Sequence, residues 1–211
     1  MRNWLVFYAF LILALVFTGC RGKQQVVTKP VLPDFEAQQQ RLTPEQQEVK
    51  QVLEKNGYSR SSKYGPKPTV LLVKKLDRRL TVYRGTTPLK TYPIVLGGNP
   101  RPDKLCQGDM CTPEGVYRVV CKYNHPRWDK FILLDYPNLQ NWVKFGRAVD
   151  RGQLPETARI GGDIGIHGTA DPLRNLNRED WTLGCVSLLN QDIEEIYPMI
   201  NDDTLVFIKK R

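Results

Sequence analysis

The sequence predicts a mostly β domain with minor α content, and three observations lead there. Residues 68–85, PTVLLVKKLDRRLTVYRG, alternate β-branched and apolar residues on both sides of a charged turn, the pattern of a β-hairpin. Similar runs recur down the chain, separated by turns that carry Pro or Gly. Helical spacing of apolar residues shows only in short stretches. At 211 residues with 41% hydrophobic content, the chain has apolar material for one well-packed domain plus appendages.

In chain order, the expected organisation is a leader over 1–19, a tether over 20–66 and a domain over 67–211. The leader places a single Arg2 before an apolar run from Trp4 to Phe17, then closes with the small residues Thr18 and Gly19 before Cys20. That is the build of a secretory signal, and the run falls short of the roughly 20 residues a bilayer-spanning helix needs. Residues 21–66 are rich in Gln, Lys, Pro and Ser and nearly lack aromatics, so they bury too little to fold alone. Within them Thr43 precedes Pro44 and Glu45, and Val49, Val52 and Leu53 recur at helical spacing up to Gly57. This predicts a helix over 44–56 that either docks on the domain or spaces it from a membrane.

After the first hairpin, strands are expected in PLKTYPIVLGG, GVYRVVCKY, KFILLDYP, ARIGGDIGIHG and the final TLVFIKK. Two helices interrupt them. One lies around Leu139–Phe145; the other runs from Asn190 to Ile200, with Asn190 as its cap and Ile193, Ile196, Tyr197 and Ile200 as its apolar face. The net charge of +9 favours an acidic partner. Because the basic residues are scattered and no nucleic-acid motif is present, carboxylate-rich wall polymer or an anionic membrane surface fits better than nucleic acid.

His167 and Cys185 are the chemistry-bearing pair. An imidazole beside a thiol takes up its proton and makes it a nucleophile, the minimal device for acyl transfer. DIGIHG reads as a strand end from which His167 leaves the sheet, and TLGCVSL reads as a Gly turn running into an apolar strand or helix start. Gly184 lets a substrate carbonyl approach the backbone, and the N–H groups of Gly184 and Cys185 are candidate donors to an oxyanion. The Gly168 carbonyl is the candidate partner for the second ring nitrogen of His167. Trp181 and Thr182 are candidate substrate contacts, and His125, Arg127 and Trp128 a candidate lid. With only two histidines and no cluster at ligand spacing, neither metal nor cofactor is needed.

Five cysteines remain to be placed. Three pairings are open among Cys106, Cys111 and Cys121; Cys106 with Cys111 is preferred, as a small ring around Gly108, leaving Cys121 as a buried thiol on a strand. Cys185 is expected to stay reduced.

Two resemblances add to this reading. Phe17-Thr18-Gly19-Cys20 resembles the lipobox of bacterial lipoproteins, which implies acylation of Cys20 and a periplasmic, lipid-anchored chain. By the same analogy Arg21, in place of an acidic residue, implies the outer membrane. The second resemblance spans about residues 68–209. HG followed by TLGCVSLLNQD resembles the signature of the L,D-transpeptidase catalytic (YkuD-type) domain, in which HG is followed after a spacer by Ser or Thr, His, Gly, Cys, an aliphatic residue and Arg. Upstream, GDMCTPEGVYRV is similar to the family's G-D-x-x-T-P-x-G-x-Y segment, and KFILLDYPN to its strand ending in Tyr-Pro-Asn. Leu183 stands where the family commonly has a second histidine, and Ser187 where it has arginine. The form DWTLGC resembles the YafK-like murein transpeptidase branch.

The resemblance implies a β-sandwich or barrel with short flanking helices. It also implies acylation of Cys185 by a peptidoglycan tetrapeptide stem with release of D-alanine. An amine of another stem, or of a wall-attached lipoprotein, then resolves the thioester. A murein hydrolase or amidase on the same scaffold and a non-catalytic wall-binding lipoprotein are the alternatives.

Overall fold

In the computed structural model, which describes residues 41–58 and 67–211, the first hairpin forms as the sequence predicts. The leader, Cys20 and most of the 20–66 segment lie outside the described residues. Strands β1 (Thr69–Lys74) and β2 (Arg79–Arg84) pair antiparallel, and β2 pairs with β3 (Thr87–Pro93). The remaining strands are β4 (Gly115–His125), β5 (Asp129–Leu134), β6 (Gly165–His167), β7 (Val186–Ser187) and β8 (Leu205–Lys209). They form one eight-stranded sheet in the order β3-β2-β1-β8-β4-β5-β6-β7. Pairings β1–β8 and β6–β7 are parallel and the others antiparallel.

Two features curl this sheet. The long strand β4 pairs with β8 through its first residues and with β5 through its later ones, with a bulge between Val119 and Cys121 where it changes partner. Beyond β3, Val95 exchanges two backbone hydrogen bonds with Ser187 of β7, at 3.0 and 2.9 Å. Chain from one edge of the sheet therefore meets the other, and the enclosed space is filled by Leu71, Leu80, Leu96, Ile132, Ile166 and Leu188 among others. The mostly β class with short helices is as the sequence predicts, and the sandwich or barrel implied by the resemblance takes the form of one curled sheet.

Helix α1 (Pro44–Lys55) begins at Thr43 with the predicted Pro at its first position. Thr43 and Gln46 form a reciprocal capping box, the hydroxyl accepting from the Gln46 N–H at 3.2 Å and Gln46 Oε1 accepting from the Thr43 N–H at 2.8 Å. Of the two roles open to it, α1 takes docking: Val49, Val52 and Leu53 pack on Val70, Leu72, Tyr83 and Leu205. Each such side chain contributes roughly 2 kcal/mol. With α1 on one face and the main core on the other, β1 is buried on both sides, which accounts for its unbroken apolar run Val-Leu-Leu-Val.

Helix α2 spans Leu139–Asp150, longer than expected, and a short α3 (Pro172–Leu176) has no counterpart among the expected elements. Helix α4 (Asn190–Ile196) continues into a 3-10 turn over Tyr197–Met199, and Ile193, Ile196 and Ile200 enter the core as expected. Asn190 is not its cap. Leu189 occupies that position without a side-chain bond, while Asn190 Oδ1 accepts from the Thr169 N–H at 2.7 Å.

The cysteine expectations are also corrected. Cys106 and Cys111 are free thiols. Between them the Asp109 carboxylate accepts from the N–H groups of Leu105, Cys106 and Cys111 at 2.8, 3.0 and 3.0 Å and from Lys104 Nζ at 2.7 Å. The loop is thus organised on a carboxylate, and the Cys111 thiol points back to the Asp109 carbonyl. Burial works to raise the Asp109 pKa, but Lys104 and the three N–H groups hold it below the usual range. Cys121 is exposed rather than buried. Val119 faces inward, and the bulge that follows it shifts the inward phase by one residue.

Candidate active site

Cys185 and His167 reach one face of the sheet by register. β6 and β7 run parallel with Ile166 opposite Val186 and His167 opposite Ser187, so Gly165 faces Cys185 one residue earlier. Side chains alternate along a strand, so Ile166 and Val186 enter the core while His167, Cys185 and Ser187 share the other face. Two residues along and one strand across is a Cα separation of about 8 Å, a span that a thiol and an imidazole leaning toward each other close. In the structure the thiol turns the other way: Sγ accepts from the Gly165 N–H at 3.4 Å and donates to the Asp163 carbonyl at 3.5 Å.

His167 is 1% exposed. Its ring lies against Trp128, 4.5 Å between centroids and 20° between planes, and against Phe131 at 5.5 Å and 9°, with Trp181 edge-on at 5.8 Å. Nδ1 lies 2.6 Å from the Gly168 carbonyl oxygen. A carbonyl only accepts, so Nδ1 carries the proton and Nε2 is the basic nitrogen. Burial lowers the imidazole to about 4, opposed by the bond to Gly168. Burial likewise pushes the Cys185 thiol up to about 11, opposed by the Gly165 N–H. With these shifts both groups are uncharged at neutral pH.

Beside this pair lies a cleft of about 700 Å³, lined by Lys104, Tyr123, Trp128, Phe131, Trp181 and Cys185 among others. Trp181 thus sits where a substrate contact is expected, its Nε1 donating to Asn175 Oδ1 at 3.0 Å. Thr182 also lines the cleft; its hydroxyl donates to the Cys185 carbonyl at 2.7 Å and accepts from the Gly184 N–H at 3.1 Å, which shapes the turn. The same bond takes the Gly184 N–H out of the expected oxyanion pair. Among the described residues nothing accepts from the Cys185 N–H, which is left as the available donor.

Asp180 anchors the start of the turn, holding the Arg78 guanidinium at 2.5–3.1 Å and accepting from the Leu96 N–H at 2.8 Å. At the tip of the β4–β5 hairpin, His125 Nδ1 accepts from the N–H groups of Arg127 and Trp128 at 3.2 and 3.1 Å, and its ring stacks on Trp128 at 4.5 Å. The hairpin therefore presses Trp128 onto His167. Asp163, Asn175 and Asn190, which also touch the site, carry no spacing signal; each comes from a different loop or helix. Among the described residues no group of three or more His, Cys, Asp or Glu is placed to hold a metal ion, and no helix is long and apolar enough to cross a membrane.

The thiol and the imidazole thus stand at adjacent parallel strand ends, Cys185 lining an aromatic-walled cleft and His167 buried behind Trp128 and Trp181. Residues 68–208 match the family model described as YkuD, L,D-transpeptidase catalytic domain, and the chain belongs to that family. The helical cell shape determining protein Pgp2 of Campylobacter jejuni is similar in structure, with 25% identity, a TM-score of 0.53 and coverage of 68% of this chain and 48% of that one. Bd1075 of Bdellovibrio bacteriovorus shares the fold at 23% identity and a TM-score of 0.51, over 72% of this chain and 51% of that one. The chain spans about half the length of both. No curated protein sequence matches it.

Proposed function

We propose that this chain is a peptidoglycan L,D-transpeptidase of the YafK-like branch, acting through Cys185 and His167. The observation that carries the reading is the register of β6 and β7, which sets thiol and imidazole on one face beside the cleft in a chain of this family. The thiol leaves the Asp163 carbonyl and turns toward His167 Nε2. Sγ attacks the amide carbon between the third residue of a tetrapeptide stem and its terminal D-alanine, and the thiol proton passes to Nε2. The Cys185 N–H donates to the oxyanion. When the intermediate collapses, the C–N bond breaks, Nε2–H protonates the departing amine, D-alanine leaves and a thioester remains. An acceptor amine then attacks the thioester and gives its proton to Nε2; the C–S bond breaks and Nε2–H returns the proton to the departing Sγ, restoring the thiol and the neutral imidazole.

The experiment is to incubate the protein without its leader, as wild type and as Cys185→Ala, with purified peptidoglycan and to read the stems by mass. New links between third residues of two stems, present with wild type and absent with Cys185→Ala, are the expected result. Thiol-dependent shortening without joining would replace the reading with hydrolysis; no change with either protein would favour the wall-binding alternative.

The same reading sets the chain on the periplasmic side of the outer membrane through an acylated Cys20, supported by the lipobox-like ending and by Arg21. Labelled palmitate is expected to enter the full chain expressed in an enteric bacterium and to be lost with Cys20→Ser. Retention of the label in that variant would refute the anchor.

A further inference from the structure

From the hydrogen bonds behind the imidazole we infer that Asn175, Ser187 and Asn190 are positioning residues that lock the Gly168–Thr169 peptide and through it the tautomer of His167. The inference rests on the catalytic reading of His167. The polarity of the chain of bonds follows from its two ends. An indole N–H only donates, so Trp181 Nε1, 3.0 Å from Asn175, must meet its oxygen, which turns Asn175 Nδ2 to the Ser187 hydroxyl at 3.1 Å. The hydroxyl, having accepted, donates to the Gly168 carbonyl at 3.0 Å. That oxygen also receives the His167 Nδ1–H, so both its lone pairs are used. On the other side of the same peptide the Thr169 N–H is held by Asn190 Oδ1 at 2.7 Å.

The peptide plane is therefore gripped at both edges by side chains from three different elements. Ser187 is 0% and Asn175 8% exposed, so water is not at hand to replace either partner. Space is as tight as the bonding: a Cβ on Gly168 would stand 2.4 Å from Asn190 Oδ1 and 2.6 Å from the Trp128 carbonyl. Were the carbonyl free to swing, the imidazole would lose the acceptor that holds its proton on Nδ1, and Nε2 would no longer be uniformly basic.

Ser187→Ala removes the central hydroxyl without adding bulk, and Asn175→Ala removes the link to Trp181; thermal unfolding of each establishes that it folds. In the free protein, imidazole nitrogen NMR is expected to show His167 as a single Nδ1–H tautomer in wild type and as a mixture in both variants. Acylation of Cys185 at neutral pH is expected to fall on the order of tenfold or more. Alkylation of Cys185 above its thiol pKa, where solvent supplies the thiolate, is expected to stay at the wild-type rate. A single Nδ1–H tautomer in both folded variants would overturn the inference, as would wild-type acylation at neutral pH. The tautomer is measured without substrate, so it stands or falls separately from the choice of murein as substrate.

Discussion

Replacing His167 with asparagine is expected to slow acylation of Cys185 about a thousandfold at neutral pH. The size follows from the resting protonation states. With the thiol near 11, almost none of it is thiolate at neutral pH, so the reaction depends on a base that accepts the proton during attack. In the proposed mechanism His167 is that base: its imidazole, lowered to about 4, is neutral over the whole physiological range with Nε2 unprotonated. Wild-type acylation is thus expected to fall as pH drops through about 4, where the ring takes a proton and ceases to be a base, and to be flat above it. In His167→Asn the reaction needs thiolate formed by solvent, so its rate should climb about tenfold per pH unit toward the thiol pKa. Stopped-flow or mass measurement of acyl-enzyme over this range is the check. A variant with the wild-type rate and a flat profile would remove His167 from the mechanism.

Gly184→Ala is expected to be strongly damaging at the residue preceding the nucleophile. Gly184 has a φ of +141°, a region side chains rarely occupy, and an added Cβ would lie 2.8 Å from the Cys111 carbonyl and 2.9 Å from Ile164 Cδ1. Strain and overpacking together cost about 3 kcal/mol. That corresponds to a Tm lower by roughly 10 °C for a domain of this size. Acylation should fall as well, because the backbone must shift at the residue preceding Cys185. Gly146→Ala, in α2 with no atom within 4 Å of the new methyl, is the control and should stabilise by about 0.5–1 kcal/mol through helix propensity. Equal Tm values for the two variants would contradict the close packing behind the nucleophile.

The expectations that survived contact with the structure share a physical basis in local pattern. Runs of β-branched and apolar residues bounded by turns marked β1, β2, β3, β4, β5 and β8, and Thr43-Pro44-Glu45 marked the start of α1, because strand propensity and helix capping are set by residues within a few positions of one another. The short motifs around His167 and Cys185 marked two residues that the register of β6 and β7 brings to one face. Where those expectations missed, the deciding partner lay far along the chain or the pattern broke. Cys121 faces outward because of a bulge. Asn190 gives its side chain to Thr169, and the Gly184 N–H is taken by Thr182.

By itself, then, the sequence determined a mostly β domain, a docked or spacing helix before it, and the residue types able to carry acyl transfer, since each depends on neighbours within a turn or a strand. Only the tertiary structure decided that β6 and β7 lie parallel in the register that brings Cys185 and His167 to one face, and that Trp181, Asn175, Ser187 and Gly168 stand in line behind the imidazole. The physical reason is that hydrogen bonds and ring stacking act over a few ångströms of space and are blind to distance along the chain. Which donors meet which acceptors is therefore settled when the sheet curls and its edges meet.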